Sequence, residues 1–423
     1  MRNNMEDIML YVHIPFCVKK CLYCDFLSAP ADGESQSLYV DSLIREMEQK
    51  SLVAKGRNIS SVFIGGGTPT ILSDANMKKL LEAINNIYKL SENTEFTCEA
   101  NPGTVTKEKL MLMRKNGINR LSFGVQSMDD EELKLLGRIH SAADAFESYK
   151  MARECGFENI NLDIMSSLPG QSEVSYAKSL EKAISMNPEH ISAYSLIIEE
   201  GTQFYEKYHE DVLKCSKGEK TIFLPDEDVE YAITKLTEKM LGEAGYHRYE
   251  VSNFAKEGRE CRHNCGYWLR RDYLGLGLGA ASLIGHTRYK NISDLSEYIS
   301  IYNTAANTDK KDTLLRENSI ATTENAVHEN GVETSNISTY ENREELTVMN
   351  EMEETMFLGL RLVSGVSEKR FYEKFGVEVT EVYGERIRKL TEQGLIKKEN
   401  GFFSLTDRGF DLGNNVFSCF LFD

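Results

Sequence analysis

The chain reads as an α/β protein: a partial (β/α)6 barrel followed by a small winged-helix-like domain. Three observations carry that reading. From residue 8 to about 245, short β-rich runs alternate with helix-length amphipathic segments. The runs themselves are nearly continuous in apolar residues, the pattern of parallel strands covered on both faces. After residue 350, helical segments lead into LIKKENGFFSLT (395–406), a hairpin pattern whose turn falls at Glu399-Asn400-Gly401.

In chain order the expected strands are MLYVHI (9–14), SVFIGG (61–66), EFTCEA (95–100), RLSFGVQ (120–126), NINLDIM (159–165) and HISAYSL (190–196). Between them lie helical patterns such as SLYVDSLIREMEQK, MKKLLEAINNIY, YAKSLEKAISM and DVEYAITKLTEKMLGEAGY. Strand–helix repeats of this kind give a parallel sheet, and six of them a barrel left partly open. The strand ends are polar. The first runs into a cysteine loop and the second into GGGTPT (65–70). Glu99 and Asn101 close the third, Gln126 the fourth, Asp163 the fifth, and Tyr194 with Ser195 the sixth. Any one Asp or Asn there could simply cap the next helix. Six in succession converge on one mouth, where barrel enzymes keep their chemistry.

Beyond the barrel region (1–245) three segments follow. Residues 246–302 are rich in glycine and aromatics and hold the only tryptophan, Trp268. Residues 303–347 shift to Asn, Thr, Ser and Glu with almost no aromatics, the composition of a disordered insertion. Residues 348–423 form the winged-helix-like domain. Such domains often bind DNA, but EMEET (351–355) and a net charge of −17, from 49 Lys and Arg against 66 Asp and Glu, favour a packing module. An acidic chain has few cations to spare for phosphates, so nucleic acid is not an expected partner.

The start, MRNNMEDIMLYVHI, has no long apolar region and no small-residue cleavage site, and no run approaches 18 uninterrupted apolar residues. A cytoplasmic protein is the expectation, and in a reducing cytosol cysteines serve more often as ligands than as disulfides.

Three of the nine cysteines, Cys17, Cys21 and Cys24, stand in YVHIPFCVKKCLYCDF (11–26) at C-x3-C-x2-C spacing. Structural zinc needs four closed ligands, and no second cysteine pair lies nearby. A [4Fe–4S] cluster on three thiolates leaves one iron open for a small molecule. With these residues the chain resembles the radical S-adenosylmethionine superfamily, whose cysteine loop holds such a cluster with S-adenosylmethionine on the open iron. GGGT (65–68), after the second strand, matches the superfamily's glycine loop.

Within the superfamily, YVHIPFC, GGGTPT, E-x-NP (99–102), RLSFGVQS (120–127), LGR-x-H (136–140) and D-x4-LPGQ (163–171) resemble the oxygen-independent coproporphyrinogen III oxidase group. That resemblance implies that Tyr11, Gly66, Gly67, Thr68, Glu99, Gln126, Arg138 and Asp163 contact S-adenosylmethionine. Two departures separate this chain from the oxidases. Asp25-Phe26 replaces a glycine and fourth cysteine, and only ten residues precede Tyr11. Both match the HemW-type haem-chaperone branch, as does His263-Asn264-Cys265-Gly266-Tyr267-Trp268, its HNxxYW motif. The resemblance implies haem as cofactor and cargo. His263 would be the iron ligand, with Tyr267 and Trp268 against the porphyrin. Cys261 and Cys265 stand as alternative ligands, and read from residue types alone, the motif is equally a set of core aromatics with a hydrogen-bonded histidine. The implied partner is an acceptor haemoprotein, membrane-bound acceptors included, and a homodimer is compatible with the pattern. The competing readings are a coproporphyrinogen dehydrogenase and a radical enzyme of another substrate.

Overall fold

The computed structural model describes residues 7–304 and 339–422. Six parallel strands form its centre: β1 (Ile8–Ile14), β2 (Ile59–Gly66), β3 (Glu95–Ala100), β4 (Arg120–Gln126), β5 (Ile160–Ser166) and β6 (His190–Ser195). Helices α1 (Gly33–Lys50), α2 (Asp74–Tyr88), α3 (Lys107–Lys115), α4 (Asp130–Leu135), α5 (Ala142–Glu154) and α6 (Glu173–Ser185) connect them. Side-chain oxygens start these helices: Asp32 accepts from Ser35 N, Ser73 from Asn76 N, and Ser141 closes a capping box with Asp144.

Side chains alternate along each strand. On β1, Ile8, Leu10, Val12 and Ile14 enter the core layer shared with the helices. Val62 and Ile64, Phe96 and Cys98, and Leu121 and Phe123 do the same on the next three strands. The opposite set contains Tyr11 and His13, Ser61 and Phe63, Glu95 and Glu99, Arg120 and Gln126, Asn161 and Asp163, and His190 and Tyr194. These residues fill the concave interior. The barrel interior is therefore largely polar and aromatic, while the greasy layer lies outside it.

After β6 come α7 (Gln203–Cys215) and α8 (Glu227–Glu243). Here the structure departs from the sequence reading, which set residues 246–302 apart from the barrel. Strand β8 (Asn253–Ala255) pairs antiparallel with β6, and β7 (His247–Arg248) pairs antiparallel with β8 at the sheet's edge. After α9 (Arg262–Trp268), β9 (Tyr273–Leu276) runs parallel beside β1, and β10 (Ala281–Ile284) and β11 (Thr287–Asn291) continue outward. The segment supplies both flanks of an open twelve-stranded sheet, because β1 and β6 do not pair with each other and each would otherwise leave an unsatisfied edge.

Helix α10 (Leu295–Thr304) packs on α1. Of the polar stretch 303–347, residues 305–338 lie outside the described residues. Its end is a correction to the expected loop: β12 (Tyr340–Glu345) pairs antiparallel with β11, and the Tyr340 ring packs against Tyr289 at 4.6 Å between centroids. The C-terminal unit holds α11 (Val348–Gly359), α12 (Glu368–Phe375), α13 (Val379–Glu392), α14 (Asp407–Asp411) and α15 (Gly413–Ser418). With them is the small sheet β13 (Val366–Ser367), β14 (Ile396–Glu399) and β15 (Phe402–Leu405). Asn400 and Gly401 take φ of 51° and 79° in the β14–β15 turn, as a tight hairpin requires. The unit has its own core around Phe371, Tyr383 and Phe420. The acids of EMEET are spent internally: Glu351 pairs with Arg270 and Lys374, and Glu354 with Arg270 and Arg288. Among the described residues, no helix is long and apolar enough to cross a membrane.

Candidate functional site

The cysteine loop leaves β1 and folds back on itself. Cys17 N donates to Ala29 O and Ala29 N to Pro15 O, closing its base, while Leu22 N reaches Leu136 O beyond α4. Cys17, Cys21 and Cys24 are unpaired and half-buried. Arg138 Nη1 lies 3.4 Å from Cys21 Sγ, and Thr68 Oγ1 3.5 Å from Cys17 Sγ. Burial pushes the Cys24 thiol up. Among the described residues no three His, Cys, Asp or Glu side chains converge as a single metal ion requires. A four-iron cluster is a larger object, its irons spread over a cube, and three half-buried thiols beside a guanidinium fit one.

The GGGT loop is tied to the same place by its backbone: Gly67 N donates to Ile14 O (2.8 Å) and Thr68 N to Phe16 O (2.7 Å). Gly66 takes φ +107°, and a Cβ there would collide with the His13 ring, so only glycine fits. Its amide donates to Glu99 Oε2 at 3.0 Å. Arg138 Nη2 donates to Asn101 Oδ1 (2.7 Å) and Gly124 O (2.5 Å), and Asn101 Nδ2 to Thr68 Oγ1 (2.7 Å). Asp163 accepts from Asn161 Nδ2 at 2.7 Å. Gln126 sits at φ +68°, a strained conformation for a residue with a side chain, and accepts from Tyr194 OH at 2.8 Å. Seven of the eight residues expected around S-adenosylmethionine therefore lie on β1–β5 or the loops that leave them, and Arg138 lies between α4 and α5.

The electrostatics suit a cationic, hydroxyl-bearing ligand. Burial, with Asp163 nearby, pushes the Glu99 carboxyl up to about 8, and burial raises Asp163. Two carboxyls kept from water gain by meeting a positive partner and hydroxyl donors. Arg138 Nε is buried without a hydrogen-bond partner, a donor left over for a ligand oxygen.

The residues expected at haem are brought together on α9, but not on an exposed aromatic surface. This short helix enters the barrel from the ends of the strands opposite the cysteine loop. Gly266 lies against Met9, where a Cβ would strike the sulfur. Glu95 caps the helix, its two oxygens each 3.0 Å from an amide, of Arg262 and His263. His263 is 1% exposed; Nδ1 lies 2.8 Å from Ser61 Oγ and Nε2 3.0 Å from Tyr267 OH. Burial and the nearby Arg120 guanidinium lower its pKa to about 3, so the imidazole is neutral. Trp268 points elsewhere, with the Arg361 guanidinium 4.5 Å from its ring. Burial pushes Cys261 and Cys265 up to about 12, and Cys261 Sγ donates to Glu95 at 3.6 Å. In this arrangement both ring nitrogens of His263 are already engaged, and an iron ligand at that position requires α9 to move.

Residues missed from sequence belong mainly to the layer beneath the site. His13 is 7% exposed, accepts from Tyr11 OH (2.9 Å) and donates from Nε2 to Leu27 O (2.9 Å) at the end of the cysteine loop. Ser61, Phe63 and Glu95 meet α9 from inside the barrel. The available signal was strand alternation, which places His13 on the same face as Tyr11.

The Radical SAM superfamily model matches residues 11–183, and the HemN C-terminal domain model residues 346–412. The chain is 38% identical to the haem chaperone HemW of Bacillus subtilis, over 97% of this chain and 98% of that protein. It is 34% identical to HemW of Lactococcus lactis over 98% and 97%, and 41% identical to HemW of Escherichia coli over 66% and 70%. Among solved structures, the radical SAM enzyme coproporphyrinogen III oxidase (HemN) of Escherichia coli superposes with a TM-score of 0.77, covering 99% of this chain and 91% of that one at 22% identity. That match speaks to the fold.

Proposed function

The chain belongs to the HemW haem-chaperone family on a radical S-adenosylmethionine scaffold, and on that premise we propose that it binds haem and passes it to acceptor haemoproteins. The observation that carries the proposal is end-to-end likeness to haem chaperones, joined to a cysteine triad, GGGT loop and Arg138 that meet at one mouth. Membership of the superfamily implies a [4Fe–4S] cluster and S-adenosylmethionine. Cys17, Cys21 and Cys24 would hold the cluster. Bound there, the cluster supplies an open iron for the methionine end of S-adenosylmethionine and a source of single electrons.

The chain's own groups would bind and orient that molecule. Gly66 and Gly67 bring backbone close, Tyr11 and Thr68 wall the loop side, and Arg138 offers its spare Nε to a carboxylate. Glu99 and Asp163 would accept from an amine and ribose hydroxyls, with Gln126 completing the wall. For haem, His263, Tyr267 and Trp268 stay the assigned contacts, reached when α9 leaves the barrel. The acceptor is a haemoprotein, membrane-bound or not, and the site of action is the cytoplasm.

The test is an anaerobic haem titration of reconstituted protein, followed by absorbance. Stoichiometric binding with a Soret shift is expected, and a Cys17/Cys21/Cys24→Ala variant should lose its iron and retain haem affinity. Porphyrinogen turnover under reductant without stoichiometric haem binding would instead establish the dehydrogenase reading.

A further inference from the structure

A column of rings stands along the barrel interior between the two sites. At its foot, His263 stacks on Phe63 with centroids 5.2 Å apart and planes 29° from parallel. Phe63 in turn stacks on Tyr11 at 6.4 Å and 26°. The Tyr11 hydroxyl donates to His13, whose other nitrogen donates to Leu27 O, and the His13 ring lies against Gly66. Phe63 and the Glu99 carboxyl both press on Gly65. The column therefore ends on the glycine loop and on Leu27 at the end of the cysteine loop.

Its foot is held more firmly than its top. Ser61 and Tyr267 fix the imidazole in its plane, and Glu95 fixes the backbone that carries it. Trp268 and Arg270, just beyond, are clamped by the C-terminal unit through Arg361, Glu351 and Glu354. Below Phe63, among the described residues, His263 is the ring stacked on it; removing that ring leaves Phe63 room to drop. If it drops, the Tyr11 hydroxyl moves off His13, and the loop that meets S-adenosylmethionine loses its support. Packed interiors respond to a lost ring by such shifts, because they carry few spare voids.

We propose that His263 is a positioning residue for the S-adenosylmethionine site, the foot of a Tyr11–Phe63–His263 column that sets the glycine and cysteine loops. The inference rests on the reading that the mouth binds S-adenosylmethionine, and it gives the His263 ring a role with α9 seated in the barrel, beside the haem contact proposed above.

The experiment uses the full chain, reconstituted anaerobically, with S-adenosylmethionine affinity measured by equilibrium dialysis alongside iron content and thermal midpoint. His263→Ala and Phe63→Ala should each weaken affinity about tenfold or more at full iron loading, the range found when a group supporting a cofactor ligand is removed. His263→Phe restores a ring without an iron-binding nitrogen, gives up the bonds to Ser61 and Tyr267, and should bind more tightly than His263→Ala. Phe63→Leu serves if an alanine variant fails to fold. Unchanged affinity in His263→Ala and Phe63→Ala would overturn the proposal, and so would a His263→Phe protein as weak as His263→Ala. A wild type with a full cluster and no S-adenosylmethionine binding would overturn the reading beneath it.

Discussion

Glu95 offers the sharpest test of how the barrel floor is held. The residue is 3% exposed at the start of β3, and its carboxylate accepts the first amides of α9 from Arg262 and His263 while lying beside the buried Arg120. Replacing it with alanine removes two charge-assisted hydrogen bonds and leaves a guanidinium, 2% exposed, without its neighbour. Each hydrogen bond to a charged group contributes about 1.5–3 kcal/mol. The two bonds share one carboxylate and are not fully additive, so a total of roughly 3–5 kcal/mol is expected for Glu95→Ala. Glu95→Gln keeps an acceptor oxygen without the charge and should lose about half of that. Since the helix is held at this end, the loss should appear as local opening. Amide hydrogen exchange across 262–268 should speed up by roughly two to four powers of ten in Glu95→Ala. Peptides from α13 in the C-terminal unit provide the control. Protection in 262–268 within threefold of wild type, in a protein that still folds, would refute the assignment of Glu95 as the cap that seats α9.

Two further outcomes are expected. Glu99 has its pKa raised to about 8, so its contribution to stability is present in full below the ordinary carboxylate range and is lost as pH rises through 8. Between pH 5 and 8 the ligand-free wild type should therefore lose up to about 4 kcal/mol relative to Glu99→Gln, measured by urea unfolding; parallel pH profiles for the two proteins would refute the shift. Replacing residues 305–338 with a short Gly/Ser linker should leave the thermal midpoint within a few degrees, because that stretch contains no aromatic residue and little apolar surface to offset ordering. A collapse in soluble yield would refute it.

The six parallel strands were legible because their residues face an apolar helix layer: Leu10, Val12, Val62, Ile64, Leu121 and Leu162 produce the runs whichever neighbour they have. The cysteine triad and GGGT loop were legible for a local reason as well, since ligand spacing and a φ only glycine adopts are properties of a few adjacent residues. The wing turn at Asn400-Gly401 belongs to the same class.

What the tertiary structure alone decided is which residues meet across the barrel. Strand β9 lies beside β1 although some 260 residues separate them, and short strands such as β7 and β8 carry too little pattern to announce a sheet edge. His263 illustrates the limit most plainly. Its neighbours on the chain, Asn264, Tyr267 and Trp268, mark a motif, but its environment is Ser61, Phe63 and Glu95, roughly 200 and 170 residues away. A side chain's chemistry is set by what surrounds it in space. An imidazole enclosed by a ring and a hydroxyl, with an arginine nearby, is neutral and engaged, whereas the same imidazole on a surface loop would be a free ligand.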